Sequence, residues 1–257
     1  MPAPPAAGPP AGETPAAAAR RVLAFGRGGL AAHPECSNIA SPIGVAQYVA
    51  IASELARWVG RGRVLDWGAG WGQTSLLLRA HGIDVIAFDV EDKGVRAGLL
   101  RGTGVPYVVS SGPTLPFDAA AFDAVLNCGV LEHVDDERRA LDELRRVLRP
   151  AGRLYTYHLP NRHAYTEWLG RRLGRFHHDR TYTRAGACRL FEGAGFRVLA
   201  CRPYHVLPRN VWGRLARRLA IGPGVARAYE AVDRGLARLP GLGRIATAWA
   251  LVAVRSG

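Results

Sequence analysis

The chain predicts an α/β fold: a parallel sheet wound on both faces by helices. Two observations carry this. Short apolar runs alternate with segments of helical periodicity from residue 63 to residue 201. Within that span, 63–91 (RVLDWGAGWGQTSLLLRAHGIDVIAFDVE) reads as strand, glycine turn, helix, strand, with an acid closing each strand. A length of 257 residues suits one α/β domain with additions and a sizeable core.

Residues 1–19 are proline and alanine with one acid, which predicts a disordered tail rather than a signal peptide. A short helix is expected over 20–32 and a loop over 33–42. Residues 43–58 carry apolar residues at helical spacing, with Tyr48 either in the core or over a pocket. Val64 and Leu65 lead a first strand into Asp66, and Gly68, Gly70 and Gly72 make a tight turn. A helix over 73–81 stops at Gly82, and a second strand over 84–88 ends in Asp89. A helix over 93–101 and a strand over 106–110 come next. The apolar run 121–128 is a buried strand, and 135–148 is a helix with Asp135 as its N-cap. Residues 149–152 end that helix, and 153–157 is a strand whose carboxyl end leads 158–161 towards the pocket. Residues 165–173 are a short amphipathic segment. A helix over 184–193 and a strand over 196–201 complete the core. After Gly222-Pro223-Gly224, a helix is expected over 225–239 and a closing strand over 247–254.

The glycine turn carries the chemistry. In an open parallel sheet, ligands bind beyond the carboxyl ends of the strands, where the first turn meets a helix N-terminus. Asp89 comes about 20 residues after Asp66, the spacing at which a carboxylate takes ribose hydroxyls. The ligand is therefore a nucleoside. A dinucleotide fingerprint needs G-x-G-x-x-G, but Gln73 stands where its third glycine belongs. Asp66 is a poor neighbour for a pyrophosphate and a good one for an ammonium and a sulfonium. S-adenosylmethionine carries both.

Asp66-x-Gly68-x-Gly70-x-Gly72 resembles motif I of the class I S-adenosylmethionine-dependent methyltransferases, type 11/12. The segments 115–136 and 141–161 match the same family in order, so the resemblance covers 64–198. It implies a Rossmann-like doubly wound seven-stranded sheet, its last strand antiparallel beside the fifth, with a helical insert before that strand. It implies S-adenosylmethionine bound by Asp66, Gly68, Ala69, Gly70, Gly72, Asp89 and Val90. Asn127, Cys128 and Gly129 would lie under its methionine part. Ser111 stands where relatives carry an aspartate for the adenine amino group, a departure that weakens this contact. His133 falls at the pocket mouth, as a base or as a residue that orders the loop.

Residues 161–183 are where this superfamily often lines or lids the acceptor site. Here they hold His177, His178 and Asp179. Either histidine is a candidate base with Asp179 orienting its ring; the alternative is a loop whose polar residues hold the lid and cap the next helix. No metal site is expected, because two adjacent histidines rarely face one ion. The expected reaction moves a methyl group to an oxygen or nitrogen of a small-molecule or lipid-like acceptor.

The net charge is +13, nearly all of it arginine, since Lys93 is the only lysine. This reflects either genomic bias or an acidic partner. Residues 209–221 put Val211, Leu215 and Leu219 on one helical face and Arg214, Arg217 and Arg218 towards the other. That suits an ordinary surface helix or a peripheral membrane contact through 209–239. Four scattered cysteines without C-x-x-C fit a reducing cytoplasm. Two competing readings are an RNA-directed methyltransferase and a non-catalytic, membrane-associated binding protein on the same fold. Nucleic acid is not favoured: the chain has no aromatic-rich RNA-binding addition and no Asn-Pro-Pro-Tyr-type motif.

Overall fold

The computed structural model describes residues 13–112, 114–174, 178–209, 212 and 221–257. Seven strands form one sheet: β1 (Arg63–Trp67), β2 (Asp84–Asp89), β3 (Tyr107–Val109), β4 (Phe122–Cys128), β5 (Leu148–Pro160), β6 (Phe196–Tyr204) and β7 (Ala248–Arg255). Their order is β3-β2-β1-β4-β5-β7-β6. The first five in that row are mutually parallel, while β7 runs antiparallel between β5 and β6. The strand order reverses between β1 and β4, so their carboxyl ends open the crevice where ligands bind in such sheets.

The central strands are apolar on both faces because helices cover both. One layer packs Val64, Val85 and Leu126 against Ile51, Leu55 and Leu77. Those helix residues lie on α2 (Pro42–Val59) and α3 (Gln73–Ala80). The opposite layer packs Leu65, Ile86 and Val125 with Leu141, Leu144 and Phe191. These come from α5 (Glu137–Val147) and α7 (Arg184–Gly193). Alternate residues of one strand thus serve two cores, as a strand's period of two requires.

Several expectations are corrected. The tail does not extend to residue 19: α1 (Pro15–Gly29) begins at a proline in its first turn, capped by the Thr14 hydroxyl. Residues 33–42 are not all loop, since Pro34–Asn38 is a 3-10 helix. The helix after β2, α4 (Lys93–Ala97), stops early because Gly98 turns left-handed at φ 74°. Asp136, not Asp135, caps α5, accepting from the Arg139 amide. Residues 149–152 are a bulge inside β5, where the pairing with β4 jumps from Phe122/Leu148 to Ala124/Arg153. The pairing of β5 with β7 slips again between Thr156 and Leu159, and His158 in that gap takes φ 60°.

The helix α6 (Tyr165–Arg172) comes after β5, and the helical insert before β7 holds α8 (Pro223–Ala237) and α9 (Pro240–Arg244). Among the described residues, no helix is long and apolar enough to cross a membrane.

Candidate active site

The turn after β1 takes its shape from three left-handed glycines: Gly68, Gly70 and Gly72 at φ 72°, 57° and 85°. They need glycine for different reasons. A Cβ on Gly68 would sit 2.3 Å from Val130, and one on Gly72 would sit 2.6 Å from Leu100. A Cβ on Gly70 would meet nothing within 4 Å, so that backbone faces open space. Ala69 lies between them, 4% exposed. The turn is tied to the neighbouring strands: the Gly68 and Ala69 amides donate to the Phe88 carbonyl, and Tyr107 Oη donates to the Gly70 carbonyl at 2.8 Å.

Two carboxylates flank it. Asp89 Oδ2 accepts from the Gly70 amide at 2.8 Å, and Oδ1 accepts from the Glu91 amide at 3.2 Å. Asp66 is buried, and the Ser75 hydroxyl donates to it at 2.5 Å. Burial raises the Asp66 carboxyl to about 6 despite that bond, and nearby Asp89 adds to the rise. Such a carboxylate suits a cation brought to it. Exposed Val90 comes directly after Asp89, while Ser111 is exposed beyond the end of β3.

The end of β4 continues the crevice. Asn127 is fully buried with its Nδ2 towards Thr156 Oγ1 at 3.5 Å, and its Oδ1 has no protein partner. Burial pushes the Cys128 thiol well up, so it stays protonated. Gly129, at φ 71°, donates its amide to the Tyr157 carbonyl. From Cys128 and Gly129 a cavity of about 470 Å³ opens outward, lined by Tyr48, His158, Glu132, His133 and His178 among others. Tyr48 is both core and lining: it is 5% exposed, and Asn38 Nδ2 donates to its hydroxyl at 2.9 Å.

The outer end of the cavity is polar. A 3-10 turn over Leu131–His133 buries Leu131 and aims Glu132 inward. Burial raises the Glu132 carboxyl to about 7. His133 sits at the rim with 60% of its side chain exposed. Partial burial, with His178 and Arg180 beside it, lowers its imidazole. His178 is held by Glu167 on α6: Oε2 accepts from its backbone amide at 2.9 Å, and Oε1 lies 2.7 Å from Nδ1. The ring is therefore oriented by Glu167 and not by Asp179, which is exposed. The rest of this loop plays the structural part. Arg180 donates to the Val134 carbonyl at 2.6 Å, Tyr182 bonds Glu137, and Thr183 caps α7. His177 lies outside the described residues.

The inner wall draws on residues from far along the chain. The bulge near the end of β5 turns His158 into the cavity, its ring 5.2 Å from Tyr204 and 5.3 Å from His205. Burial, with Arg209 and the imidazoles of His205 and His178 nearby, holds His158 well below the usual imidazole range. His205 Nδ1 lies 2.9 Å from Asp233, which also accepts from the Val206 and Leu207 amides and from Arg209. Arg209 is 7% exposed and lies 2.7 Å from Glu230. It anchors α8 beneath the cavity, so this arginine does not belong to a lipid-facing stripe. Residues 210–211 and 213–220, where that stripe was expected, lie outside the described residues. Of this wall only His158 gave a sequence signal, because a residue at a parallel strand's carboxyl end meets the crevice. Tyr204, His205 and Asp233 gave none.

A glycine turn, two strand-end acids and an adjoining cavity on this strand order define a class I methyltransferase domain. Residues 65–156 match the methyltransferase-domain family, and this domain has the class I S-adenosylmethionine-dependent fold, whose methyl donor is S-adenosylmethionine. A demethylmenaquinone methyltransferase of Clavibacter sepedonicus is 41% identical over 95 residues, 36% of this chain and 39% of that protein. Another, from Renibacterium salmoninarum, is 34% identical over 117 residues, 43% of this chain and 49% of that protein. The chain thus aligns with about two-fifths to half the length of these curated relatives. Among solved structures, a Galdieria sulphuraria protein named as a sarcosine dimethylglycine methyltransferase superposes with TM-score 0.57 at 14% identity. The match covers 83% of this chain and 87% of that one. The cyclase SpnF superposes with TM-score 0.58 at 21% identity, over 83% of this chain and 81% of that one. These likenesses show the fold alone; a cyclase among them marks how little the fold says of the reaction.

Proposed function

We propose that the protein transfers the sulfonium methyl of S-adenosylmethionine to an oxygen or nitrogen of a small or lipid-like acceptor seated in the Glu132–His133–His178 cavity. The observation that carries this is continuity. The cavity starts at Cys128 and Gly129, at the carboxyl end of β4 beside the glycine turn, and reaches a polar rim. When bound, S-adenosylmethionine supplies an activated methyl group on a good leaving group. The chain's residues then hold and orient. Asp89 takes ribose hydroxyls with the lone pairs its two amide bonds leave over. The open Gly70 backbone admits the nucleoside, and Asp66 attracts the ammonium. Val90 flanks the adenine, Ser111 accepts weakly from its amino group, and Asn127, Cys128 and Gly129 lie beneath the methionine part. Gly68, Ala69 and Gly72 keep the turn in shape.

Positioning an acceptor in line with the methyl group supplies much of the rate. A base is needed only where the acceptor must ionise, and His133 and His178 are two of the titratable groups that line the cavity. The lipid-like class is supported by relatives named for demethylmenaquinone and by the cavity's apolar stretches at Tyr48, Pro160 and Ala248. A peripheral membrane contact by 209–239 is part of this reading. The outer face of α8 exposes Val225 and Val232 beside Arg227 and Arg234. The test is turnover with methyl-labelled donor and a panel of phenolic, quinol and amine acceptors. Label should pass to at least one class in wild type and to none in Asp89→Ala; labelling that survives Asp89→Ala would refute the site.

A further inference from the structure

We propose that Glu132, His133 and His178 form a binding site for a single divalent transition-metal cation at the rim of the cavity. One ligand atom from each residue lies within 4.8 Å of the other two. Among the described residues, no other three histidine, cysteine or acidic side chains converge in this way. Bond lengths of roughly 2.0–2.2 Å to nitrogen and oxygen require these atoms to close to about 3.3 Å of one another. His133 can supply that movement because most of its side chain is exposed, and its Nε2 already lies 3.9 Å from Glu132 Oε1.

Three features separate this cluster from a chance grouping. The first is chemical type: two imidazoles and one carboxylate bind zinc, iron or manganese and leave coordination positions open. The second is the support behind His178. Glu167 is 5% exposed and grips both the backbone amide and ring Nδ1 of His178. A carboxylate behind a histidine is the arrangement that fixes tautomer and ring direction at metal sites, directing Nε2 to the ion. The third is place. All three ligands line the same cavity as Cys128 and Gly129, so the open positions face the acceptor.

The expectation of no metal assumed that His177 and His178 would be the pair. The fold instead joins His178 to a glutamate and a histidine from the loop after β4, far earlier in the chain. Bound there, a cation would take an acceptor hydroxyl as a ligand. The hydroxyl proton would leave to solvent, the oxygen–methyl bond would form as the sulfur–methyl bond breaks, and neither histidine would serve as a base. This role in turnover rests on the acceptor reading above; the binding of the cation does not.

The experiment is titration of the tag-free full chain with Mn²⁺, monitoring loss of the free-ion electron paramagnetic resonance signal, with Zn²⁺ calorimetry in parallel. One ion per chain is expected. Glu132→Gln and His133→Ala should each weaken it by about tenfold or more, and Glu167→Gln should do so by releasing the His178 ring. His163→Ala, an exposed histidine elsewhere, should leave Mn²⁺ binding unchanged. S-adenosylmethionine binding, measured on every variant, confirms that each is folded. No saturable binding of either ion, or equal binding by the Glu132→Gln/His133→Ala double variant, would overturn the site. Mn²⁺ binding with these losses, in a protein that methylates no acceptor, would uphold the site and count against the acceptor reading alone.

Discussion

Residue by residue, the three turn glycines make separable predictions. Gly70→Ala places a methyl group in open space at φ 57°, so it should fold with a loss of about 1–2 kcal/mol. Its S-adenosylmethionine affinity should fall much further, because the methyl group occupies the ligand's side of the turn. Gly72→Ala drives a Cβ into Leu100 at 2.6 Å and should destabilise the apo protein itself. Thermal melts and calorimetry on the pair separate close approach from packing. Asp66 makes the pH prediction. Its carboxyl is raised from 3.8 to about 6, so between those values the folded chain holds a proton that the unfolded chain has lost. Apo stability from this group is therefore present at low pH and lost as pH rises through about 6. Cofactor binding runs the other way, since an ammonium favours the carboxylate. Affinity should weaken below pH 6, with proton release visible as a buffer-dependent heat at about pH 5.5.

Among the elements, α1 and the 3-10 helix after it act as a cover for the glycine turn. Phe25 and His33 pack their rings 5.8 and 5.0 Å from Trp71, inside the turn itself. Gly26 lets α1 lie against the 3-10 segment, because a Cβ there would meet the Ile39 carbonyl at 2.5 Å. Gly26→Ala should lift α1 and speed cofactor dissociation in stopped-flow measurements, with the sheet core intact. The parallel strands and their helices were legible because apolar runs and the 3.6-residue period report burial directly. Asp66, Asp89 and the turn were legible because their spacing is local. The cover was legible only in part. A helix was expected over 20–32, but the proline- and alanine-rich composition hid its first turn, and only contact with Trp71 shows that Pro15–Gly29 has a surface to bury against.

Across the whole molecule, the acceptor side was the least legible part because its residues come from distant segments. Glu132 and His178 meet only after β5 and α6 intervene, and Asp233 reaches His205 only when α8 folds back beneath the cavity. The same folding-back buries Arg209, at the start of the segment read as a surface or membrane-facing helix, against Glu230. What remains for a membrane is the outer face of α8 and residues outside those described. Cosedimentation with anionic vesicles should weaken in a Val225→Ser/Val232→Ser variant while S-adenosylmethionine binding is unchanged; equal cosedimentation would remove α8 from the contact. The decisive measurement is calorimetric titration with S-adenosylmethionine of wild type beside Asp89→Ala. One site per chain is expected in wild type, with binding weakened by tenfold or more in a variant that still melts cooperatively. Equal binding by both proteins, or none by a folded wild type, would contradict a nucleoside site built on the glycine turn and Asp89.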